Sequence, residues 1–198
     1  MGIKVIVAFS DQGLLAASLL QRFAAKKGLV QVVGVIRPET KQCADGASVS
    51  NVPMALLKQP KWATVSERSD EFFNACESIG GSIVILAHFL RLLRIPQTYC
   101  GRVINVHGSL LPRFAGRGRF GRKLQREILS SRPSETGCTV HVVTDTYDQG
   151  RVLARAQCKI FQDDTIDSLY RRVLALELDC LARVVEEEGA RLLAQSAA

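Results

Sequence analysis

An amide, an imidazole and a carboxylate stand in two short motifs whose residue types suit acyl-transfer chemistry. Asn105 and His107 lie one residue apart at the end of an apolar run, and Asp148 follows in a later turn. An amide can donate to an oxyanion, an imidazole can relay a proton, and a carboxylate can hold either group in orientation. The three residues therefore predict an acyl-transfer site.

The spacing of Asn105 and His107 puts their side chains on one face of a strand, because alternate residues point the same way. Polar groups on a core-facing side are costly unless they are hydrogen-bonded. The pair is either a satisfied cap on neighbouring backbone or a catalytic pair at the carboxyl end of the strand, where α/β sheets bind ligands. The Ser-Leu-Leu-Pro run after Gly108 and the turn that carries Asp148 favour catalysis.

Alternating apolar runs and amphipathic stretches predict the elements that must position these side chains. The predicted strands are 3–8, 29–36, 82–87, 102–107, 139–143 and 152–160. The predicted helices are 13–26, 66–79, a segment near 120–130, and 165–187 with Asp164 as its N-cap, and much of 37–61 is predicted to be loop. This alternation predicts an α/β fold with a single, mostly parallel twisted sheet and helices on both faces.

Length and composition narrow the class of protein. The 198 residues predict one domain over residues 1–198, and a hydrophobic content of 47% suits a sizeable core and excludes disorder. No apolar run reaches the ~20 residues of a membrane span and no signal peptide precedes the first strand, so a cytoplasmic protein without a membrane partner is expected. The net charge of +7 favours binding of phosphate, polyglutamate or nucleic acid. Alternatively, it reflects only a solvated surface.

The six cysteines show no pattern of a metal or redox site. None forms a CxxC pair, and none stands at zinc-finger spacing with a histidine. We therefore expect reduced, mostly buried thiols, as in cytosolic proteins.

Three segments resemble the folate-dependent formyltransferases, most of all the phosphoribosylglycinamide (GAR) formyltransferase branch. The segment 105–112, Asn-Val-His-Gly-Ser-Leu-Leu-Pro, is similar to the signature of that family. The segment 86–93 is similar to part of its folate pocket, and 141–150 is similar to its folate loop. The resemblance covers almost the whole chain and is clearest over 82–187.

The resemblance implies a Rossmann-like formyltransferase domain that transfers a formyl group from 10-formyltetrahydrofolate to a substrate amine, with a place in one-carbon metabolism and purine biosynthesis. It implies that Asn105 donates to the oxyanion, that His107 stabilises the oxyanion and relays protons, and that Asp148 orients His107 or a water molecule. It implies no metal. The residues that it implies for folate binding are Leu90, Arg91, Leu92, Leu93, Val143, Thr144 and Asp145. For the acceptor, a small-molecule amine expected to be phosphorylated, they are Gly13, Ser109 and Arg113.

Four features depart from the GAR branch and leave the acceptor open. The turn 9–13 carries a bulky phenylalanine and Asp11 where that branch has a Gly- and Asn-rich phosphate loop, so we expect an ordinary strand-to-helix connection there. Gly108 stands in place of a proline. His88 stands in place of a glycine and either crowds the pterin or is a satisfied core histidine, the interpretation we favour. The basic segment 113–126 is either a site for phosphate or an RNA backbone, or a solvated loop.

Three functions remain open on these residues. The first is N-formyl transfer in the GAR manner, and the second is methionyl-tRNA formyltransferase-like catalysis on another amine. The third is a folate- or anion-binding homologue without catalysis. The intact Asn105, His107 and Asp148 favour catalysis, because a binding protein does not require all three. The sequence does not indicate the oligomeric state.

Overall fold

A computed structural model describes residues 2–25, 28–39, 52–57 and 64–196. Its strands are β1 (Ile3–Ala8), β2 (Val30–Pro38), β3 (Met54–Leu57), β4 (Ile83–Leu86), β5 (Val103–His107), β6 (Glu135–Val142) and β7 (Val152–Lys159). Its helices are α1 (Leu14–Ala25), α2 (Val65–Ile79), α3 (Gly121–Ser130) and α4 (Ile166–Ser196), with a 3₁₀ turn at Gln97–Tyr99.

The seven described strands form one sheet in the order β3-β2-β1-β4-β5-β6-β7. The pairings from β3 to β5 are parallel, and β6 pairs antiparallel with both β5 and β7. The predicted mostly parallel sheet is therefore confirmed. Because β1, β4 and β5 run side by side in one direction, the turns that follow them meet at one edge of the sheet, here named the carboxyl edge.

The residues of β1 alternate between two cores. Val5 and Val7 pack with α1 and α4 on one face of the sheet, whereas Ile6 and Ala8 pack with α2 on the other. The near-continuous apolar run of β1 thus reflects burial on both faces. The predicted placement of helices on both faces is confirmed, and α3 packs against α4.

The described part of the segment 37–61 contains one strand that the sequence does not predict. β3 lies there as a four-residue strand at the edge of the sheet, paired with the end of β2. Its short length and partial exposure give it little of the period-2 pattern from which strands are predicted. The predicted loop at 40–51 and 58–61, and the predicted helical Lys26, lie outside the described residues.

The N-cap of α4 is Thr165 and not the predicted Asp164. Thr165 Oγ1 accepts from the Ser168 amide at 3.1 Å, and Ser168 Oγ accepts from the Thr165 amide at 3.0 Å. This exchange requires the residue directly before the first helical one, so Asp164 lies one position too early. Asp164 instead accepts from the Phe161 amide and from Arg172. Among the described helices, none is long and apolar enough to cross a membrane.

Candidate active site

β5 and β6 bring Asn105 and His141 together as a cross-strand pair. Asn105 Nδ2 lies 3.0 Å from His141 Nε2, and His141 Nδ1 lies 2.9 Å from the carbonyl oxygen of Val142. A carbonyl oxygen can only accept, so Nδ1 carries the hydrogen and Nε2 accepts one from Asn105. Burial lowers the pKa of His141 and keeps the ring neutral. The pair therefore fixes the Asn105 amide and leaves its second N–H for another acceptor.

The buried His107, at the end of β5, is held by the loop that follows it. Its Nε2 donates to the carbonyl oxygen of Phe114 at 3.0 Å. Its Nδ1 has no such partner within hydrogen-bond distance among the described residues, since the nearby Asp148 Oδ1 lies 3.8 Å away. Nδ1 is therefore the atom at which His107 can exchange a proton.

Asp148 lies between the two imidazoles. Its Oδ1 is 3.8 Å from His107 Nδ1 and 3.7 Å from His141 Nε2, and its Oδ2 accepts from the Gly116 amide at 2.8 Å. The backbone of Asp148 has φ 57°, a left-handed conformation that aspartate tolerates better than most residues. The structure thus brings the three residues predicted to be catalytic into one small volume.

Two adjoining cavities open beside these residues. The wall of the first, here named the charged cavity, includes His88, His107, Arg119, Asp148 and Glu177. The wall of the second, here named the apolar cavity, includes Leu86, Phe89, Leu92, Leu93 and Val143. Asn105, Tyr147 and Asp148 line both. Groups bound in the two cavities would therefore meet at Asn105 and Asp148.

The residues predicted to bind folate lie mainly around the apolar cavity. Arg91, Leu92, Leu93, Val143 and Thr144 line it. Leu90 lines the charged cavity instead, and its amide donates to Ser10 Oγ at 2.7 Å. Asp145 is exposed and lines neither cavity, and its Oδ1 accepts from the Ile95 amide at 2.9 Å. That bond ties together the two segments that enclose the apolar cavity.

The three residues predicted to bind the acceptor do not meet in a common site. The Gly13 amide donates to Asp11 Oδ1 at 2.8 Å. Ser109 is fully buried, and its Oγ donates to the Arg113 carbonyl oxygen at 2.8 Å, so it supports the turn after β5. The exposed Arg113 guanidinium lies over the Phe114 ring. None of the three is among the described residues that line either cavity.

A buried chain of ionisable groups, the Asp11–His88–Glu177 chain, closes one side of the charged cavity. His88 Nδ1 lies 3.0 Å from Asp11 Oδ2, and His88 Nε2 lies 3.0 Å from Glu177 Oε2. The side chains of His88 and Glu177 are only 10% and 4% exposed. Burial opposes a charge on His88, but the charges and hydrogen bonds of Glu177 and Asp11 outweigh it and raise its pKa to about 10. His88 is thus a satisfied cation, and it faces the charged cavity, not the apolar one.

Gly108 leaves space for the Glu177 carboxylate of the Asp11–His88–Glu177 chain. A Cβ at position 108 would lie 2.9 Å from Glu177 Oε1 and 3.4 Å from Gln125 Nε2. The Gly108 carbonyl also accepts from Gln125 Nε2 at 3.0 Å. His88 and Gly108, two of the four departures from the GAR branch, therefore both adjoin Glu177.

The basic segment 113–126 is partly neutralised by acids outside it. Arg119 pairs with Glu127 at 2.8 Å, and Arg122 pairs with Asp167. Arg119 is also the basic residue of this segment that lines the charged cavity. Its pairing lowers the positive charge that the described wall offers to an anion.

Sequence reasoning missed Glu177 and His141 as members of the site. Glu177 lies four residues after Val173 and three before Cys180, on the apolar stripe of α4. A carboxylate on a buried stripe is a signal that could have found it, since such a group needs a partner. His141 has a weaker signal, because only the register of β6 against β5 places it opposite Asn105.

No metal centre is found within the described ranges, where no group of three or more His, Cys, Asp or Glu side chains could hold an ion. The five described cysteines are free thiols. Cys76, Cys138 and Cys180 are buried, Cys158 is half-buried and Cys100 is exposed. Cys43 lies outside the described residues.

Comparisons with known proteins identify a family and a fold for this chain. The model of the formyl transferase family matches residues 3–185. The chloroplastic phosphoribosylglycinamide formyltransferase of Arabidopsis thaliana is 32% identical over 154 residues, which are 73% of this chain and 51% of that protein. The phosphoribosylglycinamide formyltransferase of Haemophilus influenzae is 25% identical over 142 residues, which are 71% of this chain and 65% of that protein. The chain thus spans about half of the plant relative and under two thirds of the bacterial one.

A solved structure shows the same arrangement of strands and helices. Glycinamide ribonucleotide transformylase 1 from Symbiobacterium toebii matches with a TM-score of 0.82 and 25% identity, over 96% of this chain and 88% of that one. The Rossmann-like α/β fold predicted from the sequence is therefore confirmed. Because the family match includes every described strand and all the site residues, this chain belongs to the formyl transferase family.

Proposed function

We propose that this chain transfers a formyl group from 10-formyltetrahydrofolate to an amine, by a reaction of the phosphoribosylglycinamide formyltransferase type. The observation that carries the proposal is the meeting of two cavities at Asn105 and Asp148, beside His107, which lines the charged cavity. The family match and the names of the relatives support formyl transfer as the reaction class.

The apolar cavity fits the pterin of a reduced folate. Its wall of Leu86, Leu92, Leu93 and Val143 suits a flat ring. Residues 91–93 line that wall, and backbone N–H and C=O groups of such a segment can hydrogen-bond the polar edge of a ring. Folate bound there would place its formyl group toward Asn105, which lines both cavities.

Asn105 can stabilise the negative charge that develops on the formyl oxygen during the reaction. When the amine nitrogen bonds to the formyl carbon, the carbonyl electrons move to the oxygen, which becomes negative. His141 occupies one N–H of Asn105, so the other can donate to that oxygen. A preorganised donor of this kind contributes about 3 kcal/mol to such a step.

The proton can be carried by His107. The amine loses one proton and the folate nitrogen gains one as its bond to the formyl carbon breaks, so the products are an N-formyl amine and tetrahydrofolate. His107 Nδ1 can hold that proton, because Nε2 already donates to Phe114 and Asp148 lies 3.8 Å from Nδ1. No further reactant is consumed.

Alanine variants at the two strand positions test the proposal. Formyl transfer would be followed as tetrahydrofolate release in the presence of a panel of small amines that includes GAR. We expect Asn105→Ala and His107→Ala each to lower kcat/KM by about 10²–10³-fold. Arg126→Ala, on the exposed face of α3, is the control and keeps full activity. Equal rates in the wild type and both active-site variants would contradict the proposal.

Folate binding separates the enzyme from the alternative of a binding protein. We expect both alanine variants to bind a stable folate analogue within about threefold of the wild type, since neither removes apolar wall. A wild-type chain that binds the analogue and never releases tetrahydrofolate with any amine would favour the non-catalytic homologue.

A further inference from the structure

The loop that follows β5 folds back so that its main chain holds two residues of the site. The Phe114 carbonyl oxygen accepts from His107 Nε2 at 3.0 Å. Two residues further on, the Gly116 amide donates to Asp148 Oδ2 at 2.8 Å. Because Oδ2 is engaged in this way, it is Asp148 Oδ1 that lies toward His107, 3.8 Å from Nδ1. One short segment therefore sets the positions of both the imidazole and the carboxylate.

The backbone of Phe114 has an unusual conformation at the residue whose carbonyl His107 contacts. Its φ is 59°, in the left-handed region where a bulky side chain carries a steric penalty. Such conformations persist only where the surrounding structure holds them, and they cluster at functional sites. The strain at Phe114 therefore needs both a structural support and a reason.

The ring of Phe114 provides the support. It packs against an apolar cluster between α3 and α4 that consists of Leu124, Ile128, Leu169 and Val173. The Arg113 guanidinium lies over the same ring, 5.4 Å from its centroid. Phe114 is not among the described residues that line either cavity, so its contribution to the site is the main-chain contact with His107.

The carbonyl contact decides which nitrogen of the neutral His107 ring carries the hydrogen. A carbonyl oxygen can only accept, so the hydrogen lies on Nε2 and the lone pair on Nδ1. In the proposed reaction the amine gives up a proton, and only a ring nitrogen with a lone pair can take it. The other neutral tautomer would present an N–H on the side of Asp148 and could not receive the proton there.

We infer that Phe114 is a positioning residue for formyl transfer. Its left-handed backbone, anchored by its ring, aims the carbonyl oxygen at His107 Nε2 and so keeps Nδ1 free to receive the proton of the amine. The step of proton transfer rests on the proposed function. The tautomer of His107 does not, because it can be observed in the resting protein.

Nitrogen-15 NMR of the imidazole rings tests the tautomer without any turnover. The chain has 3 histidines, and their contacts give each ring a different pattern. The hydrogen lies on Nε2 alone in neutral His107, on Nδ1 alone in His141, and on both nitrogens in His88. We expect the buried, hydrogen-bonded Nε2–H of wild-type His107 to exchange slowly with water and to give a resolved signal.

Three substitutions of Phe114 separate the backbone conformation from the ring. Phe114→Gly, Phe114→Ala and Phe114→Val all remove the ring, but glycine adopts the left-handed conformation freely, alanine with a penalty and β-branched valine with a larger one. We expect the His107 Nε2–H signal to be retained in Phe114→Gly and to weaken through Phe114→Ala to Phe114→Val.

Turnover should follow the same order. We expect kcat of Phe114→Gly within about fivefold of the wild type, and kcat of Phe114→Val at least about tenfold below that of Phe114→Gly, a part of the ~10²–10⁴-fold that positioned proton transfer contributes. The KM for folate should not change, because Phe114 does not line the apolar cavity. Phe161→Val makes the same change on an exposed side chain elsewhere and is the control, with wild-type kcat and ring signals.

Two results would overturn the inference. One is a neutral wild-type His107 that carries its hydrogen on Nδ1. The other is a glycine variant that cannot be told from the alanine variant, whether both keep the Nε2–H signal and kcat or both lose them. This pair differs by one methyl group, so it decides the question even if Phe114→Val does not fold. Failure of the proposed function would look different, because no variant would then release tetrahydrofolate while the order of the Nε2–H signals still held.

Discussion

The turn after β1 and the end of β5 reach the same edge of the sheet but use their hydrogen-bond donors in opposite ways. At the end of β5, Asn105 gives one N–H to His141 and keeps the other for a ligand. After β1, the Gly13 amide is consumed by Asp11 of the same turn. The position of a turn on a parallel sheet therefore does not assign an anion site. The site exists only where donors are left unused.

The two cavities differ in how closely the residues around them follow the pattern of the family. The apolar cavity is built from segments that resemble the family, and its wall suits a pterin. Three of the four departures from the GAR branch lie beside the charged cavity. His88 and Gly108 adjoin Glu177, and the altered turn 9–13 supplies Asp11, which bonds to His88. Departures that are far apart along the sequence are thus contiguous in space, and we propose that together they form one altered acceptor side of the site.

Removing His88 should have the largest effect on stability. His88→Ala leaves Asp11 and Glu177 without the cation between them, and we expect the free energy of unfolding at pH 7 to fall by about 3 kcal/mol, as for other broken buried ionic contacts. Urea unfolding measures this. A loss below about 1 kcal/mol would show that the Asp11–His88–Glu177 chain does not stabilise the fold.

The same residue predicts a pH dependence. The pKa of His88 is raised from 6.5 to about 10, so its stabilisation is complete below pH 6.5 and is lost as the pH rises through 10. We expect wild-type unfolding free energy to decline over that window, and the decline to be reduced in His88→Ala. A wild-type profile no steeper than that of His88→Ala would contradict the assignment of His88 as a cation.

Asp148→Asn should lower turnover without destroying the site. The substitution keeps the shape and an acceptor for the Gly116 amide, but it removes the charge that lies 3.8 Å from His107 Nδ1. We expect kcat to fall about 100-fold, within the range for positioned proton transfer. Steady-state kinetics with separate kcat and KM test this. A change confined to KM would mean that Asp148 binds substrate without assisting the proton transfer.

Gly108→Ala should act through Glu177. The added Cβ would lie 2.9 Å from Glu177 Oε1, so we expect a loss of about 1 kcal/mol in the free energy of unfolding. In a Glu177→Ala background the methyl group has room, and the loss should vanish. A double-mutant cycle measures this coupling. An equal loss of unfolding free energy in both backgrounds would show that contact with Glu177 is not the cause.

Asp145→Ala should have the smallest effect and act on the folate side. It removes the bond from the Ile95 amide that joins the two segments around the apolar cavity. One net hydrogen bond of about 1 kcal/mol corresponds to a KM for folate raised about fivefold. Asp11→Asn, which alters the side of the charged cavity, should leave the KM for folate unchanged. A change there would deny that the two cavities act separately.

The sequence predicts this fold well because its central strands, such as β1 and β4, are buried on both faces. The apolar run of β1 and the stripe of α4 predict their elements directly, whereas β3 is too short and too exposed to give a pattern. Asn105 and His107 could be placed because alternate residues on a strand share a face. Their relation to His141 could not, since it depends on the register of an antiparallel neighbour.

The acceptor side shows why some contacts stay hidden in a sequence. Asp11, His88 and Glu177 are separated by 77 and 89 residues along the chain, and only the order of the strands brings them together. The sequence alone nevertheless shows three polar residues at positions where an unpaired polar group would be energetically unfavourable. An acid in a phosphate-type turn, a histidine in place of glycine and a glutamate on an apolar stripe each need a partner, and here each is a partner of another.

Calorimetric titration with a stable folate analogue tests the central claim most directly. We predict one analogue bound per wild-type chain, binding at least tenfold weaker in Leu92→Asp, which puts a charge into the apolar cavity, and unchanged binding in Asp11→Asn, which alters the other side. A wild-type chain that binds no folate analogue, or one whose binding is untouched by Leu92→Asp, would contradict the account.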